Sequence, residues 1–390
     1  MNKENCLLII PGIPYPPTDG HKLKIYNLIL ILKEKFDLHL ITISREDLNQ
    51  EQTLFLEKNS VTAKHFKLGF FLITIALIKS VFSKIPFQVS MFTYNHVNKY
   101  LRNYTVDCKY VILNLVRTGG YLPLLKNKKV VFDIVDLLSS SYKKSEKTTS
   151  SKLFKIIYRI EGGRLHNYER NIVRNADLTI CVNENEARNL KEFGNVKWLP
   201  NGVNKSLFAY NKVDTGLFNS IAFFGSMFYQ PNIDAVIWFD RYVIDSLDPT
   251  INLFIIGARP SSAILEIAKK RKNVIVTGFL EDPYEILNSC FAIVAPMQNG
   301  GGIQNKILET MGMGKLNIIT SYAANPIVGG VNDEHFLVED DPVFMASKIN
   351  AVFKNPHSFE HIGINAKKLI LSRYTWESYR KQFFDAIDKL

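Results

Sequence analysis

The sequence predicts an α/β protein with two doubly wound domains, each a parallel sheet with helices on both faces. Three observations indicate this fold class. Short apolar runs alternate with longer amphipathic stretches along nearly all of the 390 residues, as in repeated strand–helix units. Glycine-containing turns follow several of these runs, where open α/β sheets bind their ligands. The turn Pro200-Asn201-Gly202 separates two sets of such units, and the chain length suits two domains.

Apolar runs in the first half predict buried strands at residues 7–10, 38–43, 110–113, 130–132, 178–182 and 196–199. A proline-rich turn, residues 11–20, follows the first strand and leads into a helix. Residues 143–175 predict one long amphipathic helix. Residues 67–92 hold a nearly continuous apolar stretch flanked by lysines. We favour a buried packing helix there, and an amphipathic helix lying in a membrane interface is the alternative.

The second half repeats the same pattern of strands and helices. Its apolar runs predict strands at residues 221–224, 253–256, 274–276, 291–295, 316–320 and 334–338. The first three of these strands are followed by glycines, Gly225, Gly257 and Gly278. Residues 376–389 predict a final amphipathic helix.

The segment from residue 293 to 321 reads as strand, glycine loop, helix and strand. Gly300, Gly301 and Gly302 form the loop, and apolar spacing predicts that the helix starts near Gly302. Lys306 and Glu309 follow on one face of that helix. Backbone N–H groups, a helix N-terminus and an ammonium suit a diphosphate, and a carboxylate suits ribose hydroxyls. An ordinary tight turn with a surface lysine and glutamate explains the same spacing.

Polar residues also follow two predicted strands of the first half. Arg117 lies after one strand, and Asp133 and Asp136 lie at the end of the next. The carboxyl ends of parallel strands are where sites gather, so either carboxylate could accept a proton or hold a substrate hydroxyl. Helix capping by Asp136 or Ser139 is the alternative.

The net charge of +11 is concentrated in the first half of the chain. Residues 1–200 hold 30 Lys and Arg against 18 Asp and Glu, whereas residues 201–390 hold 18 against 19. A basic half implies an anionic partner, which could be an acidic substrate, an anionic membrane surface or nucleic acid. We expect no nucleic acid, because the sequence shows no recognition motif for it.

The four cysteines, Cys6, Cys108, Cys181 and Cys290, are scattered and form no CxxC pair. Buried, reduced thiols are therefore expected, in a cytoplasmic protein. The N-terminus leads directly into a short strand rather than a signal peptide, and no run of about 20 apolar residues predicts a membrane-spanning helix.

The chain resembles the retaining family-4 glycosyltransferases of the GT-B fold. The resemblance is carried in order by PYPPTDGHKLKIYNLI, ADLTICVNENE, LPNGVN, FFGSMFYQPNIDAVIWF, GARP, TGFLED, GGGIQNKILETMGMGK and YTWESY. It implies two Rossmann-like domains facing across a cleft: an acceptor-binding domain at 1–203, joined by a returning C-terminal helix at 374–390, and a nucleotide-sugar-binding domain at 204–373.

The resemblance also assigns roles to residues. Glu309 would hold the nucleotide ribose, Lys306 and the N–H groups of the glycine loop would hold diphosphate and sugar, and Gly20 would face the diphosphate across the cleft. The implied donor-binding residues are Gly20, Gly225, Ser226, Gly278, Phe279, Leu280, Gly300, Gly301, Gly302, Ile303, Lys306 and Glu309. The implied catalytic residues are Lys306, Glu309 and Asp136, and Arg117, Asp133 and Asp136 are acceptor contacts.

Two positions and one segment differ from the family pattern. Gly301 stands where relatives often have a sugar-contacting glutamate, and Val135 stands where a histidine is common. The segment GSMFYQPN lacks the arginine and lysine that many relatives place on the diphosphate. These differences leave the donor open and keep a non-catalytic nucleotide- or glycan-binding subunit as an alternative.

The resemblance implies transfer with retained anomeric configuration and without metal or cofactor; the sequence has no Asp-x-Asp motif on a plausible loop. The partners would be a nucleotide sugar and a glycan or lipid-diphosphate-linked acceptor in bacterial surface polysaccharide assembly. Peripheral association with the anionic inner face of the cell membrane would fit the basic domain. A sugar-nucleotide 2-epimerase shares the fold and is a further alternative, distinguished by acting on the donor without an acceptor.

Overall fold

The computed structural model describes residues 3–149, 151–300 and 302–390. The chain divides into two compact units, Met1–Pro200 with Arg380–Leu390, and Asn201–Tyr379. All four cysteines are buried and free. None of the helices in the described part of the chain combines the length and apolar character needed to cross a bilayer.

The first unit is built on a seven-stranded sheet in which every described pairing is parallel. The spatial order is β3-β2-β1-β4-β5-β6-β7. The strands are β1 Glu4–Ile10, β2 Phe36–Ser44, β3 Thr62–Lys67, β4 Tyr110–Asn114, β5 Lys129–Val135, β6 Leu178–Cys181 and β7 Val196–Trp198. Strand β4 is buried along its whole length and β1 along its last five residues, as expected for a parallel sheet covered on both faces.

Eight α-helices cover this sheet within the described residues. They are α1 Gly20–Lys35, α2 Gln50–Asn59, α3 Phe70–Val81, α4 Phe87–Phe92, α5 Asn95–Arg102, α6 Leu138–Thr148, α7 Lys152–Asn175 and α8 Glu184–Leu190. A 3-10 helix, Val116–Leu124, follows β4.

The second unit repeats the design with a six-stranded parallel sheet in the order β10-β9-β8-β11-β12-β13. Its strands are β8 Ser220–Phe224, β9 Asn252–Ile256, β10 Val274–Gly278, β11 Ala292–Ala295, β12 Asn317–Ile319 and β13 Leu337–Val338. Its α-helices in the described residues are α9 Lys205–Phe208, α10 Gln230–Tyr242, α11 Ser262–Lys270, α12 Tyr284–Ser289, α13 Asn305–Gly312, α14 Ser321–Ala324, α15 Pro342–Lys354 and α16 Glu360–Arg373. The last helix, α17 Trp376–Ile387, begins in this unit.

Each sheet has a switch point, where the chain returns past its first strand to continue on the other side. The switch lies between β1 and β4 in the first unit and between β8 and β11 in the second. Ligands of open α/β sheets bind beyond the carboxyl ends of the strands at such points. Functional residues are therefore expected beyond the strand ends at these two switch points.

The C-terminal helix α17 ends in the first unit, since residues from Arg380 onward belong there. Arg380 donates to the Glu34 carboxylate at 2.8 Å, and the Phe384 ring lies edge-on to Phe36 with 6.4 Å between centroids. The helix therefore returns to the N-terminal unit, as the resemblance implies.

Two helix predictions were wrong in detail. Residues 143–175 form parts of two helices, α6 and α7, because the Ser and Thr residues between them favour caps over helix interiors, and Ser151 caps α7. The helix predicted near Gly302 begins at Asn305, since Gly302 has φ +61° and cannot open a right-handed helix.

Candidate functional site

Two glycines shape the carboxyl edge of the second sheet next to its switch point. Gly225 follows β8 and has φ +149°, and its N–H donates to the Ile256 carbonyl at 3.0 Å. A Cβ on Gly257, which follows β9, would lie 1.8 Å from the Gly225 carbonyl oxygen. Only glycine at position 257 allows the two loops to approach this closely.

The loop between β11 and α13 is held by side-chain hydroxyls. Tyr322 donates its hydroxyl to the Gly300 carbonyl, and Thr320 donates to the Met297 carbonyl at 2.7 Å. Gly300 and Gly302 have φ values of +126° and +61°. Gly301 lies outside the described residues. These bonds hold the described residues of the loop on the side of β11, ahead of the start of α13.

Lys306 lies in the first turn of α13 and is half-buried. Its Nζ donates to Asn232 Oδ1 at 2.7 Å and lies 4.2 Å from the centroid of the Phe223 ring. Burial lowers the pKa of Lys306 to about 7. No carboxylate in the described part of the chain forms an ion pair with it, and its described partners are neutral: the Asn232 amide, the Met297 sulfur at 3.4 Å and the Phe223 ring. This arrangement favours an anionic ligand.

Asn232 connects Lys306 to the loop after β8, and sequence reasoning missed it. It is 5% exposed, and its Nδ2 donates to the Ser226 carbonyl at 2.9 Å while its Oδ1 accepts from Lys306. A Cβ on Gly225 would lie 2.7 Å from Asn232 Nδ2 and 3.4 Å from Lys306 Cδ. The glycine therefore makes room for the amide that orients the ammonium. The only sequence signal was the position of Asn232 within the segment FFGSMFYQPN.

Glu309 lies one turn further along α13 and is half-buried. Its Oε2 accepts from the Tyr284 hydroxyl at 3.3 Å. Burial raises the pKa of Glu309 to about 7, although the hydrogen bond from Tyr284 opposes that shift. Tyr284, the first residue of α12, was also missed by sequence reasoning. Carboxylate and phenol together offer acceptor and donor atoms to a hydroxyl-bearing ligand.

The turn after β10 presents an aromatic ring at the surface. Gly278 has φ +71°, and its carbonyl accepts from the Gly257 N–H at 3.1 Å. The Phe279 side chain is 66% exposed, whereas Leu280 packs against the core formed by Ala222, Phe254, Ile256, Leu287, Cys290 and Ile293. Ser226 is exposed and Ile303 is half-buried.

The first unit has a closed polar network at its switch point. Lys24 Nζ lies 2.6 Å from Asp133 Oδ1, and both side chains are 0% exposed. Asn114 donates to Asp133 Oδ2 at 3.2 Å, and the His21 ring bonds to Asn114 Oδ1 at 3.0 Å. Burial lowers the pKa of His21. Asp133 is thus held inside the unit, which favours a structural role over the predicted contact with an acceptor. Lys24, His21 and Asn114 had no predicted role.

Asp136 lies near two other carboxyl groups with raised pKa values. The Leu137 N–H donates to Glu186 at 2.8 Å, and the Ser139 N–H donates to Glu169 at 3.1 Å. Burial raises the pKa of each of these two glutamates to about 7, and it also raises the pKa of Asp136. Among the described residues, Asp136 Oδ1 is buried without a hydrogen-bond partner. Neither Asp136 nor Ser139 caps α6, contrary to the alternative prediction.

The remaining two predicted residues lie in helices. Arg117 donates to Gln88 Oε1 at 2.9 Å and its guanidinium lies 5.4 Å from the Phe92 ring, and burial lowers its pKa. Gly20 is the first residue of α1 and is exposed, rather than part of the preceding loop. Asp19 caps that helix by accepting from the Lys22 N–H at 2.9 Å.

Comparisons with known proteins agree with this architecture. Residues 219–355 match the family model of glycosyl transferases group 1. No curated protein matches the chain. Sucrose-phosphate synthase from Thermosynechococcus elongatus superposes with a TM-score of 0.72 and 14% identity, covering 99% of both chains.

Two further structures show the same similarity. Anabaena HepE, solved in complex with UDP-glucose, has a TM-score of 0.66 and 13% identity, covering 99% of this chain and 100% of HepE. WaaG, a glycosyltransferase involved in lipopolysaccharide biosynthesis, has a TM-score of 0.67 and 12% identity, covering 97% and 98%. At these identities the structures share the fold. The predicted GT-B fold is thereby confirmed, and the segment containing Gly225, Lys306 and Glu309 carries the group 1 glycosyltransferase match.

Proposed function

We propose that this protein transfers a sugar from a nucleotide-sugar donor to a glycan or lipid-linked glycan acceptor. It has a GT-B fold, and its second unit contains the match to the group 1 glycosyltransferases. The observation that carries the proposal is Lys306. It is a half-buried ammonium without a carboxylate partner in the described structure, beside a glycine loop at a sheet switch point. That combination suits the diphosphate of a donor.

The parts of the donor would lie along the carboxyl edge of the second sheet. The diphosphate would sit at Lys306 and the loop of Gly300, Gly302 and Ile303, with Gly301 included by resemblance. The Glu309 carboxylate would accept hydrogen bonds from ribose hydroxyls, with the Tyr284 hydroxyl at 3.3 Å fixing its orientation. The base would lie at Gly278–Leu280, where Phe279 exposes its ring.

The chemical step breaks the bond between the anomeric carbon and the diphosphate oxygen, which leaves negative charge on the diphosphate. Lys306 and loop N–H groups would stabilise that charge as it develops. The acceptor hydroxyl oxygen forms the new bond on the same face of the sugar, and its proton passes to the departing phosphate. The anomeric configuration is then retained, and nucleoside diphosphate and glycoside are the products. No metal ion is assigned a part in this step.

The acceptor would be bound by the basic first unit. Its excess of Lys and Arg suits an anionic or diphosphate-linked glycan, as used in bacterial surface polysaccharide assembly. Asp136, with its buried unpartnered oxygen, is the residue we assign to acceptor or sugar contacts, and Arg117 is the second. The HepE complex with UDP-glucose makes UDP-sugars the first donors to test.

A non-catalytic nucleotide- or glycan-binding subunit is the second candidate. The segment from Gly225 to Asn232 has no charged residue, and Gly301 replaces a glutamate of the family pattern. Tight donor binding together with no transfer to any acceptor in a screen would favour this candidate.

The test of the proposed function is the variant Lys306→Ala. We expect sugar transfer to fall by about 10²- to 10³-fold, the usual cost of removing one group that stabilises a developing anion. Transfer is measured with a panel of UDP-sugars and glycan acceptors, and folding by circular dichroism.

Lys315→Ala is the matched control. Lys315 lies just beyond the other end of α13, is half-buried, donates to the Asn288 carbonyl at 2.7 Å, and has a pKa lowered by burial. We expect near-normal transfer from this variant. Equal losses in both variants, or normal turnover in Lys306→Ala, would contradict the role assigned to Lys306.

A further inference from the structure

Helix α3 of the first unit exposes large apolar side chains on one face. Phe70 and Phe71 are 85% and 75% exposed, and Ile78 lies about two turns further along the same face. Ile73 and Ala76 are buried on the other side. The exposed face continues beyond the helix at Phe82, which is 87% exposed. A helix that buries one apolar face in the core and exposes another leaves the second face available for an interaction.

The N-terminal part of α7 is apolar and exposed in the same way. Residues 152–157 are all exposed. The exposed apolar residues of this stretch and of the turn that follows it are Leu153, Phe154, Ile156, Ile157 and Ile160. Further along the same helix, Leu165 and Ile172 are buried in the core. The exposed start of α7 is therefore distinct from the later part of the helix, which packs in the core.

Two hydrogen bonds join the region at the end of α3 to the middle of α7 within the first unit. Arg164 of α7 donates to the Ser80 carbonyl at the end of α3 at 2.9 Å. The Phe87 N–H, just beyond α3, donates to Glu161 of α7 at 2.8 Å. Phe82 therefore lies close to this contact, and the exposed start of α7 lies about one to three turns before it along the same helix. We name the exposed apolar residues of 70–85 and 153–160 the apolar surface.

The charges around the apolar surface are almost all positive. Residues 61–92 contain four lysines and no acidic residue, and residues 138–161 contain six Lys or Arg and two Glu. Lys84, Lys152 and Lys155 are exposed, and Lys67, also exposed, pairs with the Asp47 carboxylate. Lysine stems can lie along an apolar phase while their ammonium groups reach anionic headgroups.

We propose that the apolar surface docks onto an anionic lipid bilayer, with the aromatic and aliphatic side chains inserted at the headgroup boundary. A bilayer accepts an apolar face of any shape and supplies phosphates for the surrounding lysines. The 12-residue helix α3 is too short to span a membrane and is suited to lying on one. This inference rests on the proposed function only for its purpose, which is access to a lipid-linked acceptor. Its physical basis is independent of the donor site.

The test is co-sedimentation of the full chain with two kinds of vesicle, phosphatidylcholine alone and phosphatidylcholine mixed with phosphatidylglycerol. We expect strong binding only to the anionic vesicles, weakening as salt is raised. The variant Phe70→Ser/Phe71→Ser/Phe82→Ser should bind them at least about tenfold more weakly, since each lost aromatic removes buried apolar area.

Matched controls come from the second unit. Val343 and Phe344 are 65% and 63% exposed there, so Val343→Ser/Phe344→Ser should leave vesicle binding unchanged. Lys152→Gln/Lys155→Gln should reduce binding by about 30-fold through the loss of two headgroup contacts, whereas Lys270→Gln/Lys272→Gln should leave it unchanged.

Three results would overturn the inference. These are the absence of binding to anionic vesicles, unchanged binding by the triple Phe variant, and loss of self-association in that variant, measured by sedimentation velocity without lipid. The last would show that the apolar surface binds a second protein copy. UDP binding and transfer to a soluble acceptor are measured on the same samples, so that failure of docking and failure of the proposed transferase are told apart.

Discussion

Each of the two sheets has a lysine beside its switch point, and the two lysines have different partners. Lys24, in the first unit, is fully buried and paired with Asp133 at 2.6 Å. Lys306, in the second unit, is half-buried and has an amide, a thioether sulfur and an aromatic ring as neighbours. A buried charge that is fully paired has little left to offer a ligand, whereas an uncompensated one gains from an anion. The second lysine is therefore the one to which we assign a ligand.

The backbone φ values at the carboxyl edges of the two sheets differ as well. Beyond the strands of the second unit, Gly225, Gly257 and Gly278 have positive φ values, which glycine adopts at little cost, and Arg259 has φ 55°. In the first unit Gly12 follows β1 with φ +152°, and two larger residues, Leu115 and Val135, have φ 60° and 65°. Such residues are strained and must be held by their surroundings. One edge is open to close approach, and the other is locked by packing and hydrogen bonds.

The largest expected effect on stability comes from breaking the Lys24–Asp133 ion pair at the edge of the first sheet. Lys24→Met leaves the Asp133 carboxylate buried without its partner, and should lower the free energy of unfolding by about 3–5 kcal/mol. Lys306→Met should change it far less, because it leaves no buried carboxylate unpaired. Denaturant unfolding of the purified variants measures both.

The double variant Lys24→Met/Asp133→Leu separates charge from packing. It should recover a large part of the loss, because neither charge then remains buried. Equal destabilisation by Lys24→Met and Lys306→Met would remove the distinction between the two edges.

A smaller loss of stability is expected from adding a side chain at position 257, at the edge of the second sheet. Gly257→Ala brings a Cβ to 1.8 Å from the Gly225 carbonyl oxygen, so the loops must move apart. We expect a loss of about 3 kcal/mol in unfolding free energy and weaker UDP binding, since overpacking shifts the backbone beside Lys306. Thermal unfolding and UDP titration measure the two effects.

Gly163→Ala in α7 is the matched glycine control. A Cβ there meets nothing within 4 Å, so the change should stabilise the protein by about 0.5–1 kcal/mol. If Gly257→Ala behaved like this control, the close approach of the two loops would not be required.

The smallest expected effect is on the pH dependence of donor binding. With a pKa of about 7, Lys306 loses its positive charge as pH rises above 7. Glu309, also with a pKa of about 7, becomes protonated as pH falls below 7 and then accepts hydroxyl hydrogen bonds less well. UDP affinity should therefore peak near pH 7 and fall several-fold by about one pH unit on either side.

Single variants assign the two limbs of this profile. Lys306→Met should abolish the alkaline limb and Glu309→Gln the acid limb, as followed by calorimetric titration of UDP. A flat profile in the unmodified protein, or limbs unaffected by these changes, would show that other groups govern binding.

The sequence predicted the parts of the fold that depend on local pattern. Apolar runs of four to six residues marked most strands, because strands buried on both faces are apolar throughout. Strand β3, with the sequence TAKHFK, was missed since its side chains are exposed or half-buried at the sheet edge. The break between α6 and α7 and the late start of α13 depended on a cap and a left-handed glycine, which periodicity does not detect.

The candidate site was predictable only where its residues share one segment. Lys306 and Glu309 are three residues apart, so helical spacing placed them together. Asn232 lies 74 residues from Lys306, and Tyr284 lies 25 residues from Glu309. Lys24 lies 109 residues from Asp133. These partners come together only through the order of the strands, which no local pattern in one sequence contains.

The matched pKa values of Lys306 and Glu309 have a consequence for the arrival of a nucleotide. At neutrality each group carries its proton about half of the time. Under the proposed function, a bound diphosphate would favour the protonated form of the Lys306 amine, and ribose hydroxyls would favour the ionised form of Glu309. The proton that the amine gains and the proton that the carboxyl loses offset one another. Nucleotide binding would therefore increase the charge on both side chains with little net exchange of protons with the buffer.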